Sequence, residues 1–174
     1  GLGAFEKAVP SSLKTIAFGS EVFPARQLAL WRKYVPNARY INLYGPTEAT
    51  GMSCYYVVDR EFKEDEVIPI GRPFPNTGIL LLNEDGKEVT QGEKGEICIR
   101  GTAVTMGYYR QPEKTAGNFV QNPLNKDYPE IIYKTGDLGY YNDRGELMFA
   151  SRKDYQIKHM GHRIELGEIE GSVN

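Results

Sequence analysis

Cysteine is scarce in this chain: 174 residues contain two, Cys54 and Cys98. They sit inside strand-like runs and match neither a CxxC metal spacing nor a disulfide framework. They read as reduced, buried thiols of a cytosolic protein. Charge of one sign is missing too. Lys plus Arg number 21 against 23 Asp plus Glu, a formal net charge of −2, so no basic field invites nucleic acid or an anionic membrane. No apolar run approaches the ~18 residues of a membrane span. The amino end lacks the basic stretch and apolar core of a secretory signal. With 19 Gly and 10 Pro the chain falls below the range of low-complexity disorder. No internal repeat is visible. Collagen, coiled coil, membrane protein and disordered tail are excluded, and a 40% hydrophobic share leaves enough for a proper core.

Leu13 to Phe18 reads as a short buried strand, and Gly19-Ser20-Glu21 as the turn that leaves it. Pro24 suits the first turn of a helix in which Leu28, Trp31 and Val35 share one face, and Pro36 ends it. Tyr40 to Leu43 is a second strand, so the pattern is the βαβ unit of a mostly parallel sheet. After about residue 66 the texture changes. Ile79 to Leu82, the turn at Asp85-Gly86, Glu96 to Ile99 and the turn at Asp143-Arg144-Gly145 predict a small distorted β-barrel. From 151 something new begins, with a strand at Tyr155 to Lys158 and a helix opening at Glu165 to Leu166 that Asn174 cuts short. The expected fold is therefore α/β plus β. Residues 1–66 would end an α/β subdomain, 67–150 form the barrel, and 151–174 carry a hinge and the start of a small α+β domain.

Three stretches carry chemistry. The first is Asn42-Leu43-Tyr44-Gly45-Pro46-Thr47-Glu48-Ala49-Thr50. Ligands of open α/β sheets bind beyond the carboxyl ends of strands. Gly45 lets backbone approach such a ligand, Pro46 stiffens the turn, and Glu48 is placed to hold magnesium, which takes one or two carboxylates and completes its shell with water and phosphate. A plain β-turn with a solvated Glu satisfies this segment equally well. The second stretch is Tyr133-Lys134-Thr135-Gly136-Asp137-Leu138-Gly139. A carboxylate between two glycines can accept hydrogen bonds from the vicinal hydroxyls of a ribose, although Thr-Gly-Asp is also an ordinary turn. The third runs from Ser151-Arg152-Lys153-Asp154 to Gly161-His162-Arg163-Ile164-Glu165-Leu166-Gly167-Glu168-Ile169-Glu170. Arg152 offers a fork for phosphate oxyanions. The alternative is a solvated charged strand. His159 and His162 have no Cys or acidic cluster at zinc-ligand spacing and read as two surface histidines near a domain junction.

In this order the stretches resemble the adenylate-forming enzyme superfamily, closest in flavour to the amino-acid adenylation domains of nonribosomal peptide synthetases and to D-alanine–carrier protein ligases. Gly95-Glu96-Ile97-Cys98-Ile99-Arg100-Gly101 and Gly107-Tyr108-Tyr109 also match. The resemblance implies that Tyr44 stacks on adenine and Asn42 reads its exocyclic amine. Thr47 and Glu48 match the pair that meets the phosphates and Mg2+, Asp137 the carboxylate on the ribose, and Arg152 an arginine near ribose and phosphate. Asp154 matches the hinge between two domains, while Phe18, Leu43, Gly51 and Met52 match the acyl-substrate pocket. ATP, Mg2+ and the phosphopantetheine thiol of a carrier protein are the implied cofactors and partners, in the cytoplasm.

Departures from the family pattern are Ser151 in place of glycine, Phe149 where an aromatic hydroxyl is usual, and His159-Met160 after Lys158. No Gly/Ser/Thr-rich loop followed by Lys occurs in the 174 residues. The resemblance thus implies a fragment, with the pyrophosphate loop upstream, the catalytic lysine downstream, no activity alone, and self-association through an open sheet edge. An acyl-CoA synthetase of the same superfamily and a non-catalytic interaction module are the competing readings.

Overall fold

The computed structural model describes residues 3–153 and the backbone of 156–159 and 162–165. A short helix α1 (Ala4–Lys7) precedes β1 (Thr15–Gly19), α2 (Ala25–Tyr34) and β2 (Arg39–Tyr44). As the periodicity predicts, α2 turns Ala25 and Leu28 inward. Leu28 packs with Tyr40, Tyr56 and Ile68, and the half-buried Phe18, Phe23 and Trp31 close that cluster. Pro24 is the helix N-cap rather than its first residue. Pro36 follows the end, where it cannot continue the backbone ladder.

The strands β1 and β2 run parallel, pairing Thr15 with Arg39 through Gly19 with Leu43. Two antiparallel strands extend this sheet: β3 (Cys54–Val57) on β2 and β4 (Arg72–Pro73) on β3. The change of texture at residue 66 falls in the loop before β4, so the first sheet continues to Pro73. The second sheet is antiparallel. It takes β5 (Thr77–Leu82), β6 (Gly95–Gly101), β8 (Ile131–Tyr141) and β7 (Phe119–Gln121) in that order, with β9 (Leu147–Arg152) also on β8. The helix α3 (Pro112–Asn118) leads into β7. Register shifts at Glu96/Cys98 and at Leu138/Gly139 bend this sheet, as bulges do. Arg152, expected past the barrel, is the last residue of β9.

The sheets are joined where Ile70 N–H donates to the Leu147 carbonyl at 2.9 Å. Beneath that seam Cys54 and Ile70 from one side meet Leu81, Ile97 and Leu147 from the other, with Tyr44 and Phe149 resting against them. The seam thus brings the carboxyl end of β2 up to β8 and β9. The hairpin β10 (Gln156–His159) and β11 (His162–Glu165) is antiparallel. Glu165 therefore ends a strand instead of opening a helix. Asp154 and the helix expected from Leu166 lie outside the described residues, and among those described no helix is long and apolar enough to cross a membrane.

Candidate active site

A cleft of about 370 Å³ opens over the seam. Its floor is the end of β2, its walls are the Ser20–Phe23 turn and the Val67–Ile70 loop, and its far side is Asp137, Phe149 and Arg152. The site lies beyond the carboxyl end of a parallel strand, as expected for an open α/β sheet.

Asp137 is the electrostatic centre. It faces Arg152 directly across β8–β9, and the guanidinium Nη1 reaches its Oδ1 at 2.7 Å. From the other sheet, Tyr44 donates its hydroxyl to Oδ2 at 2.6 Å. Burial, helped by the neighbouring carboxylate, pushes the Tyr44 hydroxyl well above its ordinary range, so it stays a donor at physiological pH. The backbone is fixed as well, since Asp137 N–H donates to Thr135 Oγ1 and that hydroxyl donates to the Ile97 carbonyl. Arg152 and Tyr44 thus both donate to Asp137 and orient its carboxylate.

Asn42 is buried below the cleft and donates Nδ2 to the Pro69 carbonyl at 2.8 Å. This leaves Oδ1 as the acceptor that an exocyclic amine requires. Gly45 is held by the turn it opens: a Cβ there would run into the backbone of Gly51, Met52 and Ser53. The residues Thr47–Ala49 then form a single 3-10 turn. Glu48, on that turn, is 8% exposed and accepts the Tyr108 hydroxyl on Oε1 at 2.8 Å. It does not line the cleft.

The donor set decides what metal could fit. Among the described residues no group of three His, Cys, Asp or Glu converges on one point. A single carboxylate beside a hydroxyl suits Mg2+ that arrives on a polyphosphate and keeps its waters.

Of the expected site residues, the cleft gathers Asn42, Leu43, Tyr44, Gly45, Asp137 and Arg152. Thr47 and Glu48 lie on the adjoining turn. Phe18 is stacked on Phe23 in the core behind the wall, ring centroids 4.2 Å apart. Gly51 and the 39% exposed Met52 follow the turn and do not line the cleft. Sequence reasoning missed the Tyr44–Asp137 and Tyr108–Glu48 bonds. Both join residues far apart in the chain, and no local pattern announces them.

The family model described as "AMP-binding enzyme" matches residues 2–109. Bacitracin synthase 1 of Bacillus licheniformis is 41% identical over 163 residues, 94% of this chain and 3% of that protein. Delta-poly-L-ornithine synthetase of Acinetobacter baumannii is 36% identical over 173 residues, 99% of this chain and 12% of that protein. Among solved structures, PA1221, an NRPS protein containing adenylation and PCP domains, superposes with a TM-score of 0.85 at 31% identity, covering 92% of this chain and 32% of that one. The Vibrio cholerae adenylation domain AlmE, in complex with glycyl-adenosine-5′-phosphate, gives 0.83 at 27%, covering 99% and 33%. The chain spans a small part of the curated relatives and about a third of each matched structure.

Proposed function

Because this chain belongs to the AMP-binding enzyme family, we propose that it supplies the nucleotide side of an amino-acid adenylation site. The observation that carries the reading is the convergence of Asn42, Tyr44, Asp137 and Arg152 on one cleft from two sheets. In the proposed reaction a substrate carboxylate attacks the α-phosphorus of ATP, pyrophosphate leaves, and an aminoacyl-adenylate forms. The phosphopantetheine thiol of a carrier protein then attacks the acyl carbon and releases AMP. Similarity to Delta-poly-L-ornithine synthetase and to an adenylation domain in complex with glycyl-adenosine-5′-phosphate supports an amino acid as substrate. A PCP domain in one similar structure supports the carrier.

Each residue has a task in this reading. The Tyr44 ring stacks on adenine, and Asn42 Oδ1 accepts its amine. Asp137, preset by Arg152 and Tyr44, accepts the ribose hydroxyls. Arg152 adds positive charge beside the phosphates. Thr47 and Glu48 meet the polyphosphate, and Glu48 would hold Mg2+ there, which would supply charge neutralisation. Leu43 lines the acyl end, with Gly51 and Met52 joining it on the next turn and Phe18 behind the wall. Asp154 serves as the hinge between the large domain, whose last parts are 1–66 and 67–150, and the small domain begun at 151–174. The chain is then one part of a longer cytoplasmic enzyme, and alone it neither adenylates nor hides the open edge of β1, through which copies pair.

Amino-acid-dependent ATP–pyrophosphate exchange by the full-length protein tests the proposal. Exchange with one or a few amino acids is expected. Exchange with fatty acids alone would replace it with the acyl-CoA synthetase, and none with any acid would leave an interaction module.

A further inference from the structure

The loop between β6 and α3 reaches the Glu48 turn at three points. Thr105 N–H donates to the Glu48 carbonyl at 3.0 Å, Thr50 Oγ1 donates to the Ala103 carbonyl at 2.7 Å, and the Tyr108 hydroxyl donates to Glu48 Oε1 at 2.8 Å. The third is made to the side chain. Its donor is firmly built. Gly107 has φ +121°, and a Cβ there would collide with Thr115. That close approach lets Tyr108 N–H donate to Thr115 Oγ1 at 2.9 Å, and the same hydroxyl donates to the Gln111 carbonyl. The Tyr108 ring stands edge-on to Phe119, at 78°, and its hydroxyl lies 3.4 Å from that of Tyr133.

We infer that Tyr108 is a positioning residue for Glu48: its hydroxyl sets the rotamer and plane of the carboxylate on an otherwise short turn. Thr115 in turn fixes Tyr108, so α3 governs the geometry of a group on the opposite sheet. This inference rests on the proposed role of Glu48 at the nucleotide-bound metal. Packing alone would need only the ring, whereas orienting a carboxylate needs the hydroxyl, and the two separate experimentally.

The test compares Tyr108→Phe, Thr115→Val, Glu48→Gln and the double variant Tyr108→Phe/Glu48→Gln in the full-length protein. Three quantities are read: pyrophosphate exchange against Mg2+ concentration, Mn2+ affinity by calorimetry with a non-hydrolysable ATP analogue, and the thermal midpoint. Tyr108→Phe should raise the half-saturating Mg2+ and weaken Mn2+ by about tenfold, the scale of one hydrogen bond to a charged group, with little change in midpoint. Thr115→Val should move both in the same direction by about threefold, as an indirect perturbation does. The double variant should be no worse than Glu48→Gln, because groups acting as a unit are not additive. If Tyr108→Phe leaves the metal response unchanged while Glu48→Gln destroys it, Tyr108 does not position the carboxylate. Additive losses in the double variant would also overturn the inference. If Glu48→Gln itself changes neither metal readout, the role of Glu48 fails and the inference with it.

Discussion

The turn that carries Glu48 and the strand pair that carries Asp137 hold equally buried carboxylates, each 8% exposed, by different means. Asp137 sits in a β-ladder opposite Arg152, and its orientation follows from register, with Tyr44 added from the neighbouring sheet. Glu48 stands on a three-residue 3-10 turn and takes its orientation from a tyrosine 60 residues away in sequence. In the proposed site Asp137 must match the fixed diol of a ribose, and a ladder gives that fixity. Glu48 in that proposal serves a metal and polyphosphate, a group whose charge changes during reaction. The comparison therefore predicts that Glu48 variants act mainly on turnover, and Asp137 variants mainly on nucleotide affinity.

The largest effect should come from Glu48→Gln, which lowers adenylation by ~10²-fold or more, as expected for one lost electrostatic stabiliser. ATP affinity without metal should barely change. An equal loss in both would erase the distinction between the two regions. Arg152→Met should come next. The pair is partly buried, with side chains 17% and 12% exposed, and stripping one partner from such a pair costs about 2–3 kcal/mol, somewhat less than for full burial. Urea denaturation should show that loss, accompanied by weaker ATP binding. Unaltered stability would mean that the strand register and Tyr44 orient Asp137 without Arg152.

The sequence made the ladder half of this site partly legible. The Asp143-Arg144-Gly145 turn marks a hairpin, and counting outward along its two strands leads from Tyr141 and Leu147 to Asp137 opposite Arg152. Only the shift at Leu138/Gly139 disturbs the count, and a bulge has no reliable sequence signature. The βαβ unit was legible because Leu28 and its neighbours repeat with helical period. The role of Glu48 was an implication of the family resemblance, and the contact that holds its side chain was not legible at all. The Tyr108–Glu48 bond depends on how the β6–α3 loop folds over another sheet, which neither period nor turn chemistry encodes. The strand ending at Glu165 was hidden for a similar reason: a charged, Gly-flanked run suits a hairpin and a helix start alike.

Tyr44→Phe sharpens the comparison from the shared side. It keeps the ring but removes the 2.6 Å bond to Asp137, which should weaken ATP by about tenfold, the worth of one charge-assisted bond. Metal dependence should stay unchanged, and a shift in it would mean that the two carboxylates are coupled. The smallest effect is on pH. Burial raises the thiols of Cys54, on the first sheet, and Cys98, on the second, to about 12 from 9.0. Folding favours their neutral forms, so this contribution is fully present below about pH 9 and fades as pH climbs toward 12. Urea midpoints should decline over that window and less steeply in Cys54→Ala or Cys98→Ala. A flat profile in the parent would contradict the burial of both.

The most direct test of the nucleotide site is calorimetric binding of ATP and of 2′,3′-dideoxy-ATP to the full-length protein and to its Asp137→Ala variant. Asp137 is assigned to the ribose hydroxyls, and each charge-assisted bond is worth about 1.5–3 kcal/mol. The substitution should therefore weaken ATP by at least tenfold and leave the dideoxy nucleotide nearly unchanged. Equal weakening of both nucleotides would show that Asp137 holds Arg152 and Tyr44 in place and does not bind the ribose.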